Sequence, residues 1–323
     1  MTTLAASGAR VAVVVPNWNG VAHLGATLEA LRAQTRAADE VVVVDNGSSD
    51  GSAAYVEMHH PGVRVLRLAT NTGFAGAANA GWRAGTAELV AVLNNDARPA
   101  PDWLEQLLRR PDDPAVWAWG SVLVSPDGTV ESAGDHYDPR GYAYKLGRGR
   151  PLSALPAEPY DVVAPPGASP LMRRSVLAEL GGYCERFFLY YEDVDLSLRA
   201  LLAGYRAELV PSAVVEHDLG RSSGGSSRPW FYIGRNSLWC AVRCQPHVSV
   251  RALWRRTGRE WRTVRSRGGG AAYLRGRAAG VAGLAWALRS RREVQRARVL
   301  SADELHARLA DPPRLTDLPT PAG

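Results

Sequence analysis

The chain has 323 residues, 46% hydrophobic and 22% charged, which excludes wholesale disorder and leaves room for one large α/β domain with an appendage. The net charge of +6 is unevenly placed. Residues 248–300 hold 14 Arg against Glu260 and Glu293, about +12, so the remainder is net acidic, which speaks against a uniformly basic nucleic-acid binder.

The first hundred residues alternate regularly. VAVVV (11–15) reads as a buried strand, followed by a helix over 21–34. VVVV (41–44) is a second strand, with a short helix near 52–59. VRVLRL (63–68) is a third, then a helix over 75–85, and ELVAVLN (88–94) a fourth, then a helix over 101–109. Short β-branched runs without polar alternation suit a mostly parallel sheet covered on both faces by helices. Over 115–170, VWAWGSVLV, VESAG and YDVVAP are strand-like pieces of a mixed-sheet region broken by turns. A helix over 173–180, the aromatic run FFLYY (187–191), a helix over 192–204 and a strand over 206–217 follow. After a Ser/Gly loop (220–227) the chain reads as helical and arginine-rich to about 300, with a frayed Pro-rich end.

In a parallel sheet, ligands bind beyond the carboxyl ends of the strands. Those ends read PNWN, DNGSSDGS, ATNTGFAG and NNDARP, four polar or glycine-rich loops that would converge on one rim. Asp45 could accept from a ribose hydroxyl or a pyrimidine N3–H, or serve as a turn former with Asp50. Gly73 and Gly76 could let a helix N-terminus approach a nucleotide, or allow tight helix–sheet packing. Asn94-Asn95-Asp96 could hold a divalent cation against a diphosphate, or form a polar turn before Pro99.

Glu192, Asp193 and Asp195 crowd one helical first turn, where the macrodipole favours acids. A carboxylate there is expected to stay ionised and could deprotonate an acceptor hydroxyl. His217 closes a strand; near Asp96 it could be a metal ligand, imidazole with carboxylate suiting Mn²⁺ more than Mg²⁺. HExxH, Cys-based zinc spacing, GxxxxGK[ST] and GxSxG are all missing, so the metalloprotease, P-loop and α/β-hydrolase readings lack their chemistry.

VVVPNWNG, VVVVDNGSSDGS, NTGFAGAANAG, LNNDARP, the stretch from GASPLMRRSV to the EDVDLSLRALLAG helix, and VEHDLGRSSGG resemble, in this order, the family 2 inverting glycosyltransferases, most closely their rhamnosyltransferase-like branch. The resemblance covers roughly residues 10–240. It implies a GT-A fold, Rossmann-like, over 8–220, with a nucleotide-binding half (8–110) and an acceptor-binding half (111–220). A helical appendage (228–305) and a flexible tail (306–323) would follow. It implies a nucleoside-diphosphate sugar donor, TDP-rhamnose being the branch's suggestion, and a glycan, lipid-linked or natural-product hydroxyl acceptor. Asp193 then resembles the catalytic base, with Glu192 its neighbour. Asp96 resembles the last acid of the family's metal motif, although Asn94 stands where its first Asp often is, and His217 resembles a histidine of the metal–diphosphate site. The cation would be Mn²⁺ or Mg²⁺. Asp45 resembles the base-recognising acid. Pro16, Asn17, Trp18, Asn71, Gly73, Asn79, Asn94 and Asn95 fall in the donor-facing motifs. A nucleotidyltransferase is the rival enzyme, but PNWNG offers no Lys or Arg. Nucleic-acid binding through the arginine tail is the non-enzyme alternative.

Cys184, Cys240 and Cys244 form no CxxC pair, which argues for core filling in a reducing compartment. Residues 1–10 hold no long apolar run, so no signal peptide is expected. The longest late apolar stretch, 278–288, is 11 residues, against roughly 20 for a spanning helix. The expectation is a cytoplasmic protein. Leu253, Trp254, Trp261, Val264, Tyr273, Leu274, Leu284 and Trp286 lie among the tail's arginines. The tail could therefore touch the inner face of the membrane or pack on the body.

Overall fold

The structure, a computed structural model, describes residues 2–218 and 228–310. The expected Ser/Gly loop lies outside the described residues. The first half runs β1 (Val11–Asn17), α1 (Val21–Arg32), β2 (Glu40–Asp45), α2 (Ser52–His59), β3 (Arg64–Arg67), α3 (Gly73–Ala84) and β4 (Leu89–Val92). Then come β5 (Ala97–Pro99), α4 (Trp103–Leu108), β6 (Val116–Val124), β7 (Val130–Ser132), β8 (Asp135–Tyr137), β9 (Ala143–Lys145), β10 (Tyr160–Val162) and β11 (Leu171–Arg173). The chain continues through α5 (Arg174–Glu179), α6 (Glu192–Leu202) and β12 (Arg206–His217). The described residues end in α7 (Arg228–Cys244), α8 (Val250–Ser266), α9 (Gly270–Ala282), α10 (Leu284–Arg296) and α11 (Ala302–Ala310).

The main sheet runs β10-β12-β6-β11-β4-β1-β2-β3. β3, β2, β1 and β4 are mutually parallel, and β6 and β12 are parallel to each other. β11 is antiparallel to both β4 and β6, so those six strands share one direction. The valine runs bury both faces: Val11, Val13, Val15 and Val43 join one core cluster, while Val14, Val42 and Val44 join the other. This is a mostly parallel sheet between helices.

A third cluster joins α6 to the C-terminal helices through Leu198, Leu202, Leu238, Trp239, Cys240 and Cys244. The tail therefore packs on the body along part of its length. Tyr273 and Val264 are buried, and Leu253, Leu284 and Trp286 pack against this cluster. Trp254 and Leu274 remain exposed. Residues 306–310, expected in the flexible tail, belong to α11, whose Leu305 and Leu309 are buried; the rest of that expected tail lies outside the described residues. No described helix is long and apolar enough to cross a membrane.

Candidate active site

β1, β2 and β4 end side by side. Their register pairs Asn17 with Asp45, and Leu93 donates its N–H to the Val14 carbonyl. Asn95 Nδ2 donates to Asn17 Oδ1 at 2.7 Å, which ties the first loop to the Asn94–Asp96 turn. A Cβ at Gly20 would collide with both amides. Asp45 is buried, and its Oδ1 accepts no hydrogen bond. Pro16 is the penultimate residue of β1, and Trp18 stands exposed in the loop beyond it.

The 71–73 turn is held from within. Asn71 Oδ1 accepts from Gly73 N at 2.8 Å and from Asn46 Nδ2 at 3.1 Å. Gly73 has φ of 77°, and a Cβ there would strike the Phe188 carbonyl, so this glycine serves close packing. Asn79 departs from its expected donor-facing role. It is fully buried, donates to the Tyr183 carbonyl and Glu185 Oε1, and accepts from Trp82 Nε1 and Tyr183 N. All its polar atoms are engaged in joining α3 to the 183–185 segment.

The pairing of short β5 with the end of β12 brings His217 to Asp96. β5 pairs antiparallel with the end of β12, in a register that sets His217 opposite Ala97. His217 Nε2 lies 3.3 Å from Asp96 Oδ1 and 3.2 Å from Asn94 Nδ2. Its Nδ1 meets Glu131 Oε2 at 2.7 Å, and Glu131 Oε1 in turn meets Lys145 Nζ. Glu131, on β7, carries no sequence signal, because a lone Glu in VESAG matches no motif. Burial disfavours the imidazolium, yet hydrogen bonds to Asp96 and Glu131 outweigh it and push the His217 pKa up to about 9. Burial likewise works against the Glu131 charge, but His217 and Lys145 hold that carboxyl below the usual range.

The α6 acids divide in role. Asp195 is fully buried between Arg199 Nε at 2.8 Å and Arg243 Nη1, which makes it a structural anchor between α6 and α7. Burial opposes its charge, and the two arginines hold it below the usual Asp range. Glu192 is buried with Oε2 lacking a hydrogen bond; burial and the Asp193 charge push its pKa far up. Asp193 is partly exposed, and its Oδ1 accepts from the Val194 N–H at 2.8 Å. Desolvation raises its pKa as well, while that N–H and Lys145 pull it down. Against the expectation that a carboxylate at this helix start stays ionised, desolvation works on both Glu192 and Asp193 in opposition to the helix dipole. Gly167 lies against Asp193, where a Cβ would overlap Oδ2.

The loop before these acids is strained. Phe188, Tyr190 and Tyr191 have φ of 66°, 65° and 70°. Asn236 of α7, fully buried, donates its Nδ2 to the carbonyls of Phe187 (2.9 Å), Leu189 (2.9 Å) and Tyr190 (2.6 Å). The Tyr190 phenol is raised by burial, then by Glu192, then by Asp96, so acids nearly a hundred residues apart act on one hydroxyl.

A carboxylate and an imidazole whose far nitrogen is fixed by a second carboxylate form a donor set suited to a divalent cation. No group of three or more metal-ligating side chains occurs among the described residues. A two-ligand site completed by a diphosphate is the usual form for such a cation.

Comparison with known proteins agrees with this geometry. Residues 12–181 match the family model "Glycosyl transferase family 2". The chain is 31% identical over 242 residues to the N-acetylglucosaminyl-diphospho-decaprenol L-rhamnosyltransferase of Mycobacterium tuberculosis, covering 66% of this chain and 77% of that one. It is 34% identical over 220 residues to the pre-mycofactocin glycosyltransferase of the same organism, covering 64% and 42%. GalNAc-T7, solved with UDP, GalNAc and Mn²⁺, shares the fold at a TM-score of 0.59 and 19% identity, over 74% of this chain and 48% of that one. A mannosyltransferase from Pyrobaculum calidifontis, solved with GDP-Man and Mn²⁺, shares it at 0.53 and 22%, over 93% and 79%. The fold is GT-A, and the chain belongs to glycosyl transferase family 2, on its rhamnosyltransferase-like side.

Proposed function

We propose that the chain moves a sugar from a nucleoside-diphosphate sugar to an acceptor hydroxyl by single displacement, with inversion. The observation that carries this is the strand-end cluster: His217 Nε2 lies 3.3 Å from Asp96 Oδ1 and 3.2 Å from Asn94 Nδ2, beside the rim that Asn95 ties to Asn17. Asp193 takes the hydroxyl proton, and the oxygen attacks the anomeric carbon opposite the diphosphate. Its raised pKa makes it a stronger base than a free aspartate, and general-base help is worth roughly 10²–10⁴-fold. Glu192, whose carboxyl burial and the Asp193 charge push up, lies beside it.

Asp96 and His217 would hold Mn²⁺ or Mg²⁺, and the bound cation supplies charge neutralisation to the leaving diphosphate. Asp45, whose buried Oδ1 awaits a donor, receives the nucleobase or ribose, and Asn17, Trp18, Asn94 and Asn95 line the donor side. The rhamnosyltransferase relative favours rhamnose as the sugar and a lipid-linked acceptor, and the family resemblance suggests TDP as the carrier.

A thermal-shift panel of nucleoside-diphosphate sugars, with and without Mn²⁺, tests this. One donor at 100 times its Kd should stabilise the protein by about 2.7 kcal/mol in the presence of Mn²⁺. Asp193→Asn should keep that shift and lose turnover. Turnover retained with donor affinity lost would overturn the assignment of the base.

A further inference from the structure

α9 and α10 dock on α7 through glycines. A Cβ at Gly276 would collide with the Phe231 carbonyl, and one at Gly283 with the Trp239 ring. This close approach fixes which side of the two helices faces outward. Leu274 and Val281 of α9 lie there, 46% and 58% exposed, at a seven-residue spacing that keeps them on one side, and Leu288 of α10 is 53% exposed. Arg275, Arg289 and Arg292 are exposed beside them, and Glu293 is the only acid on either helix. A helix with one buried face normally turns a polar face to water, whereas here the outward face is an apolar row set in arginine.

We propose that this outward face of α9 and α10 docks the protein on an anionic lipid surface. Leu274, Val281 and Leu288 would enter the headgroup boundary while the arginines meet lipid phosphates. A second copy of the chain fits this face poorly. A two-fold contact would press the same patch against itself, arginine against arginine. The proposal deepens the reading of a lipid-linked acceptor, but its test needs no turnover.

The full chain is floated with phosphatidylcholine vesicles, with and without phosphatidylglycerol. Flotation is expected only with phosphatidylglycerol, and high salt should release the protein. Arg275→Ser/Arg289→Ser/Arg292→Ser should weaken partition by about a hundredfold, near fivefold per arginine. Leu274→Asp/Val281→Asp/Leu288→Asp should abolish it at unchanged Tm and unchanged nucleotide-sugar binding. Wild-type protein that stays off anionic vesicles overturns the proposal, as does an aspartate triple variant that floats equally well. So does a wild type that dimerises where that variant is monomeric. Any of these leaves the glycosyltransferase reading standing, because donor binding is read separately.

Discussion

The Asn236 carboxamide donates to the Tyr190 carbonyl at 2.6 Å across 46 residues of sequence. The same nitrogen reaches the carbonyls of Phe187 and Leu189, so one side chain of α7 holds the backbone that delivers Glu192 and Asp193. Three non-glycine residues in this loop have positive φ, each costing about 1–3 kcal/mol, and the loop keeps that shape because it is held. Asn236→Ala should lower kcat by about a hundredfold, the cost of misplacing a base by roughly 1 Å, while donor Kd changes little. Steady-state kinetics alongside donor titration separates the two.

Gly167 leaves no room for a methyl beside Asp193 Oδ2. Gly167→Ala should displace the carboxylate and lower kcat with donor affinity preserved. Because desolvation raises the Asp193 pKa, the acid limb of the wild-type kcat/KM profile should lie above the usual Asp value near 4, with activity rising as pH climbs through it. A limb at or below that value would remove the desolvated base.

Glu131 touches His217 and Lys145, and its link to a cation would run through the His217 imidazole. Glu131→Gln should weaken Mn²⁺ binding by about 10–100-fold through loss of the charge that orients the imidazole. Calorimetric titration of Mn²⁺ into each protein reads this directly, and equal affinities would confine Glu131 to folding.

Asp195 is buried against Arg199 and Arg243. Asp195→Asn should destabilise the fold by about 3–5 kcal/mol, since two guanidinium groups lose their shared carboxylate. Its folded pKa lies below the unfolded value near 4, so the stabilisation is present above that pH and is lost as pH falls toward the folded pKa. Denaturant midpoints at pH 7 and pH 3.5 should differ less in the variant than in the wild type.

The sequence made the sheet legible because valine runs and strand-end polar loops are local signals. The helix Ser52–His59 and the strand Arg206–His217 match the reading residue for residue. Long-range pairing was harder to read. Asn79 looks like part of a donor loop until the 183–185 backbone is packed on it, and Glu131 has no motif until β7 lies beside β12's end. Glu192, Asp193 and Asp195 look alike in sequence; α7 separates them by bringing Arg243 to one of the three. The arginine tail read as amphipathic overall, but only packing decided that Tyr273 faces in and Leu274 out.

Because α7 supplies Asn236 and Arg243 to the segment that carries the acids, the chain up to the end of β12 is not a self-sufficient module. Cutting the chain after β12 would spare the rim where a nucleotide would rest while unfastening the opposite wall. Transplanting that stretch into a relative would require its C-terminal helix as well, so the two have to change together when partners are exchanged.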